Sequence, residues 1–405
     1  MQAKKASTRH KRYLGNSVPR KTTTLRSSDW NDWKWQLRNR ICSVEALSET
    51  FGRQISSGVV EASKKFPMAI TPYYATLVRT ASGNDPVYMM SVPSCLELND
   101  PSYLVDDPLG EEADSPVDGL VHRYKDRVLL VTTSICGMFC RFCTRKRVTG
   151  QPEHCCGAAE LTGWVNYLRE HPEVKDVIVS GGDPFTMETE KLDEILTAIR
   201  SVETVETIRI GTRTPVVLPM RIDSKLVKML RKHHPVWINT HFNHPNEITP
   251  EAIAACEKLA DAGIPLGNQS VLLKGVNDNP EVMAELCRKL IQMRVKPYYI
   301  FAPDKVRGTA HFQTTIETGL RVMEYLQANV GGIATPLFVV DLADGNGKVP
   351  IIPNRIVSYN GDTVMLRNKR GSISEHINRE EVPSQLISVH ISGEEVRIPA
   401  TSQTD

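Results

Sequence analysis

The sequence predicts an α/β fold, a partial (β/α)6 barrel with a helical region before it and a β-rich extension after it. Three observations carry this expectation. Short β-branched runs alternate with amphipathic helical stretches at roughly 30-residue intervals, the rhythm of parallel βα units. There are six such units, too few to close an eight-unit ring, so the barrel is expected to stay open. After residue 335 the alternation stops and turn signals take over.

The units follow in order. Arg127–Thr133 (RVLLVTT) reads as a buried strand, and Val174–Ser180 repeats the type. A turn at Gly181–Pro184 leads to a helix over Lys191–Val202. Strands at Glu206–Ile210, Val236–Thr240, Pro265–Leu273 and Lys296–Phe301 alternate with helices at Ser224–His233, Pro250–Ala262, Pro280–Met293 and Thr315–Ala328. Pro336–Leu342 is a further strand. Tyr359-Asn360-Gly361-Asp362 between apolar runs marks a hairpin, and Ile391-Ser392-Gly393-Glu394 a second. Upstream, Asp29–Ile41 reads as an amphipathic helix with Trp30, Trp33 and Leu37 on one face, for core packing or a subunit contact. The expected organisation is a flexible basic arm (1–28), a helical region (29–115), the barrel (116–330) and the C-terminal extension (331–405).

Bulk properties narrow the function classes. The chain has 405 residues, 40% of them apolar, enough for a large core. A formal net charge of +2 gives no argument for nucleic acid or membrane. Mean hydropathy is −0.27, and no run approaches the roughly 20 apolar residues that span a bilayer. The first 28 residues hold eight Lys or Arg and no acid, but lack the amphipathic stripe of a transit peptide. Nine irregularly spaced cysteines do not form a disulfide framework, which suits a reducing cytoplasm.

The chemistry concentrates in Ser134-Ile-Cys136-Gly-Met-Phe-Cys140-Arg-Phe-Cys143-Thr-Arg145, a loop after the first barrel strand. In parallel α/β folds ligands sit at the C-terminal strand ends, where this loop falls. Thiolates suit iron–sulfur clusters and zinc. Structural zinc wants four ligands, usually in paired knuckles, and no fourth is evident. A 4Fe–4S cluster held by three cysteines keeps one iron open for a further ligand. Three free buried thiols are the remaining reading. Cys155 and Cys156 lie outside the motif and are given no metal role.

The CxxxCxxC spacing and its place resemble the radical S-adenosylmethionine superfamily, which makes the expected barrel one of the radical SAM type. Ser180-Gly181-Gly182-Asp183-Pro184 resembles the superfamily's glycine-rich turn, where Gly181, Gly182 and Asp183 would approach S-adenosylmethionine. Over roughly residues 29–370 the chain resembles the lysine 2,3-aminomutase family. The resemblance rests on Asp107-Pro-Leu, Asp114-Ser-Pro-Val, Gly119-Leu-Val-His-Arg-Tyr-Lys-Asp-Arg127, Cys140-Arg-Phe-Cys-Thr-Arg-Lys-Arg-Val, Asn239-Thr-His-Phe-Asn-His-Pro-Asn-Glu247, Asn268-Gln-Ser-Val-Leu-Leu-Lys-Gly-Val-Asn277-Asp and Lys296-Pro-Tyr-Tyr.

That resemblance implies an isomerase that moves an α-amino group to Cβ, with a 4Fe–4S cluster, S-adenosylmethionine and pyridoxal phosphate (PLP) as cofactors. Cys136, Cys140 and Cys143 match the cluster ligands, and His241 and Gln269 match S-adenosylmethionine contacts. Lys348 matches the PLP lysine, after the glycine-rich Asp344-Gly-Asn-Gly347. Arg123, Tyr124 and Arg127 match phosphate contacts and are expected to border the barrel mouth. Arg145 matches the residue that pairs with the substrate carboxylate.

Asp304 and Asp341 match two aspartates that hold the distant ammonium of lysine. A buried cation needs such counter-charges, so a basic amino acid is expected. Lys305 and Arg307 depart from the lysine enzymes; either could neutralise Asp304, which keeps arginine open as substrate. Elimination or another rearrangement with the same cofactors, and a non-catalytic metal-binding module, are the competing readings. Relatives carry a zinc site with one cysteine at the position of Asn279 and others near the C-terminus. No cysteine follows Cys287 here, so no structural zinc is expected. The expected partners are a small amino acid, an electron donor such as flavodoxin or ferredoxin, and further copies of the chain in a homo-oligomer.

Overall fold

The computed structural model describes residues 27–150, 152–343, 345–378, 386–391 and 394–399. Most of the basic arm expected over residues 1–28 therefore lies outside the described residues. The chain divides into two compact units at Ile352/Pro353.

The first unit is organised by one nine-stranded sheet in sequential order. Its strands are β1 (Leu120–Tyr124), β2 (Arg127–Val131), β3 (Asp176–Ser180), β4 (Thr207–Gly211), β5 (Val236–Thr240), β6 (Leu266–Val271), β7 (Lys296–Phe301), β8 (Leu337–Leu342) and β9 (Gly347–Pro350). Strands β2 to β8 run parallel, while β1 and β9 are antiparallel edges. The crossovers carry helices α1 (Ala158–Glu170), α2 (Thr189–Arg200), α3 (Ser224–Leu230), α4 (Pro250–Asp261), α5 (Pro280–Gln292) and α6 (Ile316–Asn329). This is the expected partial barrel, with its edges brought nearly together.

Local chemistry explains the elements. In β3 and β4 every second residue is buried, with Val177, Val179, Ile208 and Ile210 at 0% exposure. Helix α4 starts where Thr249 accepts a bond from the Ala252 N–H and Pro250 takes the first helical position. Helix α5 is capped by Asn279, which accepts from the N–H groups of Glu281 and Val282.

Three elements differ from expectation. Helix α1 had no counterpart in the sequence reading, although Leu161, Trp164, Val165 and Leu168 form its buried stripe. Strand β1 was also missed. The strand expected at Pro336–Leu342 is β8, which extends the barrel sheet beside β7.

The helical region before the barrel contains helices at Ser27–Trp30, Trp33–Arg38, Val44–Phe51, Ser57–Lys65, Pro72–Ala75 and Pro86–Ser91. The single helix expected over Asp29–Ile41 is broken, because Asp32 caps a new start by accepting from the Lys34 N–H. Trp30, Trp33 and Leu37 do pack against the core. Fully buried Gln36 joins this region together, donating to Trp30 O and accepting from the Tyr73 N–H, both at 2.9 Å.

The second unit holds a three-stranded antiparallel sheet of β10 (Ile356–Asn360), β11 (Thr363–Arg367) and β12 (Ile373–Ile377). Strands β13 (Leu386–Ile391) and β14 (Glu394–Pro399) form a separate antiparallel pair. The first expected hairpin turns at Gly361, in the left-handed region at φ +60°, with Asn360 opposite Thr363. In the second, Ile391 pairs with Glu394; its turn residues, Ser392 and Gly393, lie outside the described residues.

Candidate active site

The cysteine loop leaves the end of β2 and is clamped onto the end of β3. Thr132 donates to Ser180 O at 2.8 Å, and the N–H of Asp183 to Ile135 O at 2.8 Å. Contact is so close that a Cβ on Gly181 would lie 2.4 Å from Thr133 O, and one on Gly182 2.4 Å from Ile135 O. Gly181 also has φ +129°, a conformation that side chains resist. The two glycines are therefore required first by the protein's own cysteine loop.

Cys136, Cys140 and Cys143 are free thiols that interact electrostatically. Burial pushes the Cys136 thiol well up, and the charges of Asp183, Cys143 and Cys140 add to that. Burial and Cys140 push Cys143 up to about 11. Bound metal would relieve this strain, because it takes the thiolate form. Among the described residues no three His, Cys, Asp or Glu groups surround a point suited to a lone metal ion. A cluster makes a different demand, since each of the three thiolates would bind a different iron rather than one shared point.

Around the loop stand the side chains from neighbouring strand ends. Asp183 is buried and fully engaged, accepting from the Phe185 N–H, Thr212 Oγ1 and the Arg213 N–H. What it offers a ligand is the turn it holds, not a free carboxylate. His241 follows β5 and stacks on Phe142, ring centroids 5.5 Å apart. Its Nε2 is buried without a hydrogen-bond partner. Burial, then the charge of Arg213, lowers its pKa to about 3, so the ring is neutral. A buried ring nitrogen left without a partner is rare in folded proteins. Gln269 lies partly buried within β6.

The edges of the sheet meet at a second cluster. Tyr124, ending β1, accepts from the Lys348 N–H at 3.1 Å, so β1 and β9 touch across the seam. Arg123 is held by Asp114, Nε to Oδ2 2.7 Å, and by Leu109 O. Arg127 lies over the Tyr124 ring at 4.3 Å, and its buried Nε has no hydrogen-bond partner. The glycine loop is folded onto this group. Gly347, at φ +82°, would set a Cβ 3.3 Å from Tyr124, and Gly345, at φ +74°, one 3.0 Å from Asp114. Asp344 lies outside the described residues. Arg123, Tyr124, Arg127 and Lys348 are brought together, but at the seam between the edge strands. Gly345 lies in the loop beyond the end of β8, and a Cβ there would come 3.5 Å from Arg123 Nε, so the group borders that strand end as well.

The two expected aspartates also converge. Lys348 Nζ lies 2.9 Å from Asp341 Oδ1. Asp304 accepts from Thr144, and burial pushes its carboxyl up to about 6; Thr144 opposes that shift, Asp341 adds to it and Lys348 opposes it. Lys305 bonds to Gln313 at 2.5 Å while still feeling the charge of Asp304, and Arg307 lies 3.7 Å from Asp106.

Arg145 is already paired. It grips Glu111 with Nη2 to Oε1 at 2.6 Å and Nε to Oε2 at 3.0 Å. The sequence reading did not single out Glu111, Thr144, or the buried pair of Arg213 with Glu247 at 2.7 Å. Glu247 lay within a quoted block, but its burial could not be seen in the sequence.

Thiols on a strand-end loop, a glycine turn under them and a neutral histidine beside them define the class, a radical SAM enzyme. The Radical SAM superfamily matches residues 130–287, and the family described as lysine-2,3-aminomutase matches residues 323–396. The L-lysine 2,3-aminomutase of Clostridium subterminale is 49% identical over 87% of this chain and 86% of its own length. That of Methanococcus maripaludis is 47% identical over 86% and 82%. A glutamate 2,3-aminomutase of Clostridioides difficile is 43% identical over 88% and 84%. The chain belongs to the lysine 2,3-aminomutase family of radical SAM enzymes and is an isomerase, a 2,3-aminomutase. Membership implies a 4Fe–4S cluster, S-adenosylmethionine and PLP. No helix among the described residues is long and apolar enough to cross a membrane.

Proposed function

We propose that this enzyme moves the α-amino group of L-lysine to Cβ. The observation that carries the reading is the enzyme's own lysine. The Lys348 ammonium lies 2.9 Å from Asp341 and feels the charge of Asp304. The aspartate pair is thus complementary to an alkylammonium. A glutamate side chain would bring a third carboxylate to two that already repel, which costs rather than gains. Lys305 is bonded to Gln313 while still feeling the charge of Asp304, and Arg307 lies by Asp106, so neither makes a direct ion pair with the two aspartates. Arginine, whose guanidinium would also draw on two carboxylates, is the competing substrate that the test includes.

The remaining roles follow the positions. Cys136, Cys140 and Cys143 would hold the cluster. The turn of Gly181, Gly182 and Asp183, with His241 and Gln269, would border S-adenosylmethionine. Arg123, Tyr124 and Arg127 would hold the PLP phosphate, with Lys348 anchoring the cofactor. Bound, these groups supply a carbon radical and an electron sink for nitrogen migration. The protein's own part is orientation. Arg145 would take the substrate carboxylate with the part of its guanidinium that Glu111 does not hold. Asp304 and Asp341 would hold the far ammonium, and the two anchors together fix where Cβ lies. Release of the Lys348 ammonium from Asp341 would free the acid pair for substrate. We further propose a cytoplasmic homo-oligomer served by a one-electron donor such as flavodoxin or ferredoxin.

The test is to incubate the anaerobically reconstituted enzyme with lysine, arginine, ornithine and glutamate. β-Lysine as the main product supports the proposal, while preferential turnover of glutamate refutes it.

A further inference from the structure

Arg213 lies two residues past the end of β4 and is 8% exposed. Its Nη1 lies 2.7 Å from Cys140 Sγ, its Nη2 2.7 Å from Glu247 Oε1, and its Nε 3.1 Å from His241 O. The guanidinium sits 5.2 Å from the centroid of the Phe142 ring. Glu247 is wholly buried. Its Oε1 also accepts from Tyr74, at 2.7 Å, and its Oε2 from the N–H groups of Asn243 and His244, at 2.6 and 3.0 Å. Every oxygen of this buried carboxylate is occupied, so it holds one side of the guanidinium in place. The other side is turned on a sulfur.

An ion pair this deep is an expensive way to stabilise a fold, since apolar residues of similar volume often do as well. A guanidinium pressed against a thiol makes chemical sense when that sulfur carries negative charge. We propose that Arg213 sets the reduction potential of the iron–sulfur cluster through Cys140, raising it, with Glu247 as the counterweight that limits the rise. The inference rests on the reading of Cys140 as a cluster ligand.

The physics is direct. Reduction adds one electron, supplied by a one-electron donor, and its charge spreads over irons and sulfurs. A fixed positive charge and an N–H donor at one sulfur stabilise the reduced cluster more than the oxidised one. The interaction is strong where water is excluded. Glu247 works against it from the far side of the guanidinium. The two residues therefore push the potential in opposite directions, whereas a purely structural pair would change stability and leave the potential alone.

The experiment is an anaerobic redox titration of the reconstituted holoenzyme with dithionite, reading the electron paramagnetic resonance signal of the reduced cluster. Glu247→Gln keeps the shape and removes the counterweight. At the wild-type midpoint its ratio of reduced to oxidised cluster should rise about tenfold, which is 59 mV for a one-electron couple. The double variant Arg213→Gln with Glu247→Gln leaves no buried charge unpaired. Its ratio should fall about tenfold, and Arg213→Lys, which keeps the charge, should fall less. Equal midpoints in wild type, Glu247→Gln and the double variant, at full iron content, would overturn the proposal even if melting temperatures differ. If the double variant does not fold, Glu247→Gln decides alone: a raised midpoint supports the proposal and an unchanged one refutes it. Wild-type enzyme that takes up no iron and sulfide would instead overturn the assignment of Cys140, and the inference with it.

Discussion

At the scale of single residues, the account assigns distinct losses to distinct side chains. Lys348→Ala should abolish turnover without added amine while leaving the iron content of the reconstituted enzyme unchanged. Normal turnover by that variant would remove Lys348 from the PLP site. Asp304→Asn leaves Asp341 to hold the ammonium alone. Breaking one side of a buried charge pair typically costs about 3 kcal/mol, so kcat/KM for lysine should fall about 100-fold, read from initial rates of β-lysine formation. The pH dependence has a definite sign. The Asp304 carboxyl, pushed up to about 6 chiefly by burial, takes a proton as pH falls through that value. The acid pair then loses negative charge, and KM for lysine should rise on the acid side of about 6. A KM that falls there would separate Asp304 from ammonium binding. Some of this was legible in the sequence and some was not. Cysteine spacing and the matched blocks named the side chains. That Arg145 is already held by Glu111, and that Lys305 and Arg307 turn to Gln313 and Asp106, depends on partners distant in sequence, which no local pattern encodes.

At the scale of elements, the glycines carry the sharpest expectations. Gly182→Ala would place a Cβ 2.4 Å from Ile135 O and 2.7 Å from Ser134 C. Both are backbone atoms of the cysteine loop and cannot swing aside. The variant should therefore fold around its barrel but bind less iron after reconstitution. In helix α6 Gly319 faces Phe338 of β8, and a Cβ there would come within 2.2 Å of the ring. Alanine is the better helix former by about 1 kcal/mol. Overpacking a buried aromatic costs typically 1–3 kcal/mol, so Gly319→Ala should destabilise the fold in chemical denaturation. The barrel strands and the helices α2 to α6 were readable because each carries one period and one burial face. Helix α1 escaped because Gly157 at its start offers no side-chain cap, although Leu161, Trp164, Val165 and Leu168 make a full helical stripe. Strand β1 escaped because its sequence, Leu-Val-His-Arg-Tyr, buries only the first two residues. It is an edge, and edges lack a two-sided signal.

At the scale of the whole molecule, function depends on how nearly the sheet closes. Strands β1 and β9 meet through Tyr124 and Lys348, and this contact gathers groups that lie more than 200 residues apart in the sequence. On one side stand Arg123 and Arg127; on the other, through Lys348, stand Asp341 and Asp304. The proposed cofactor anchor and the proposed substrate anchor are thereby joined by a single lysine. The family relationship establishes a 2,3-aminomutase, and the acid pair is what points to lysine as its substrate. The most direct test of that claim is the product formed from [2-15N]lysine by the reconstituted enzyme with S-adenosylmethionine, PLP and dithionite. The account predicts an isomer of unchanged mass with the label on Cβ. A product that has lost ammonia, or label that stays on Cα while glutamate is turned over, would contradict it.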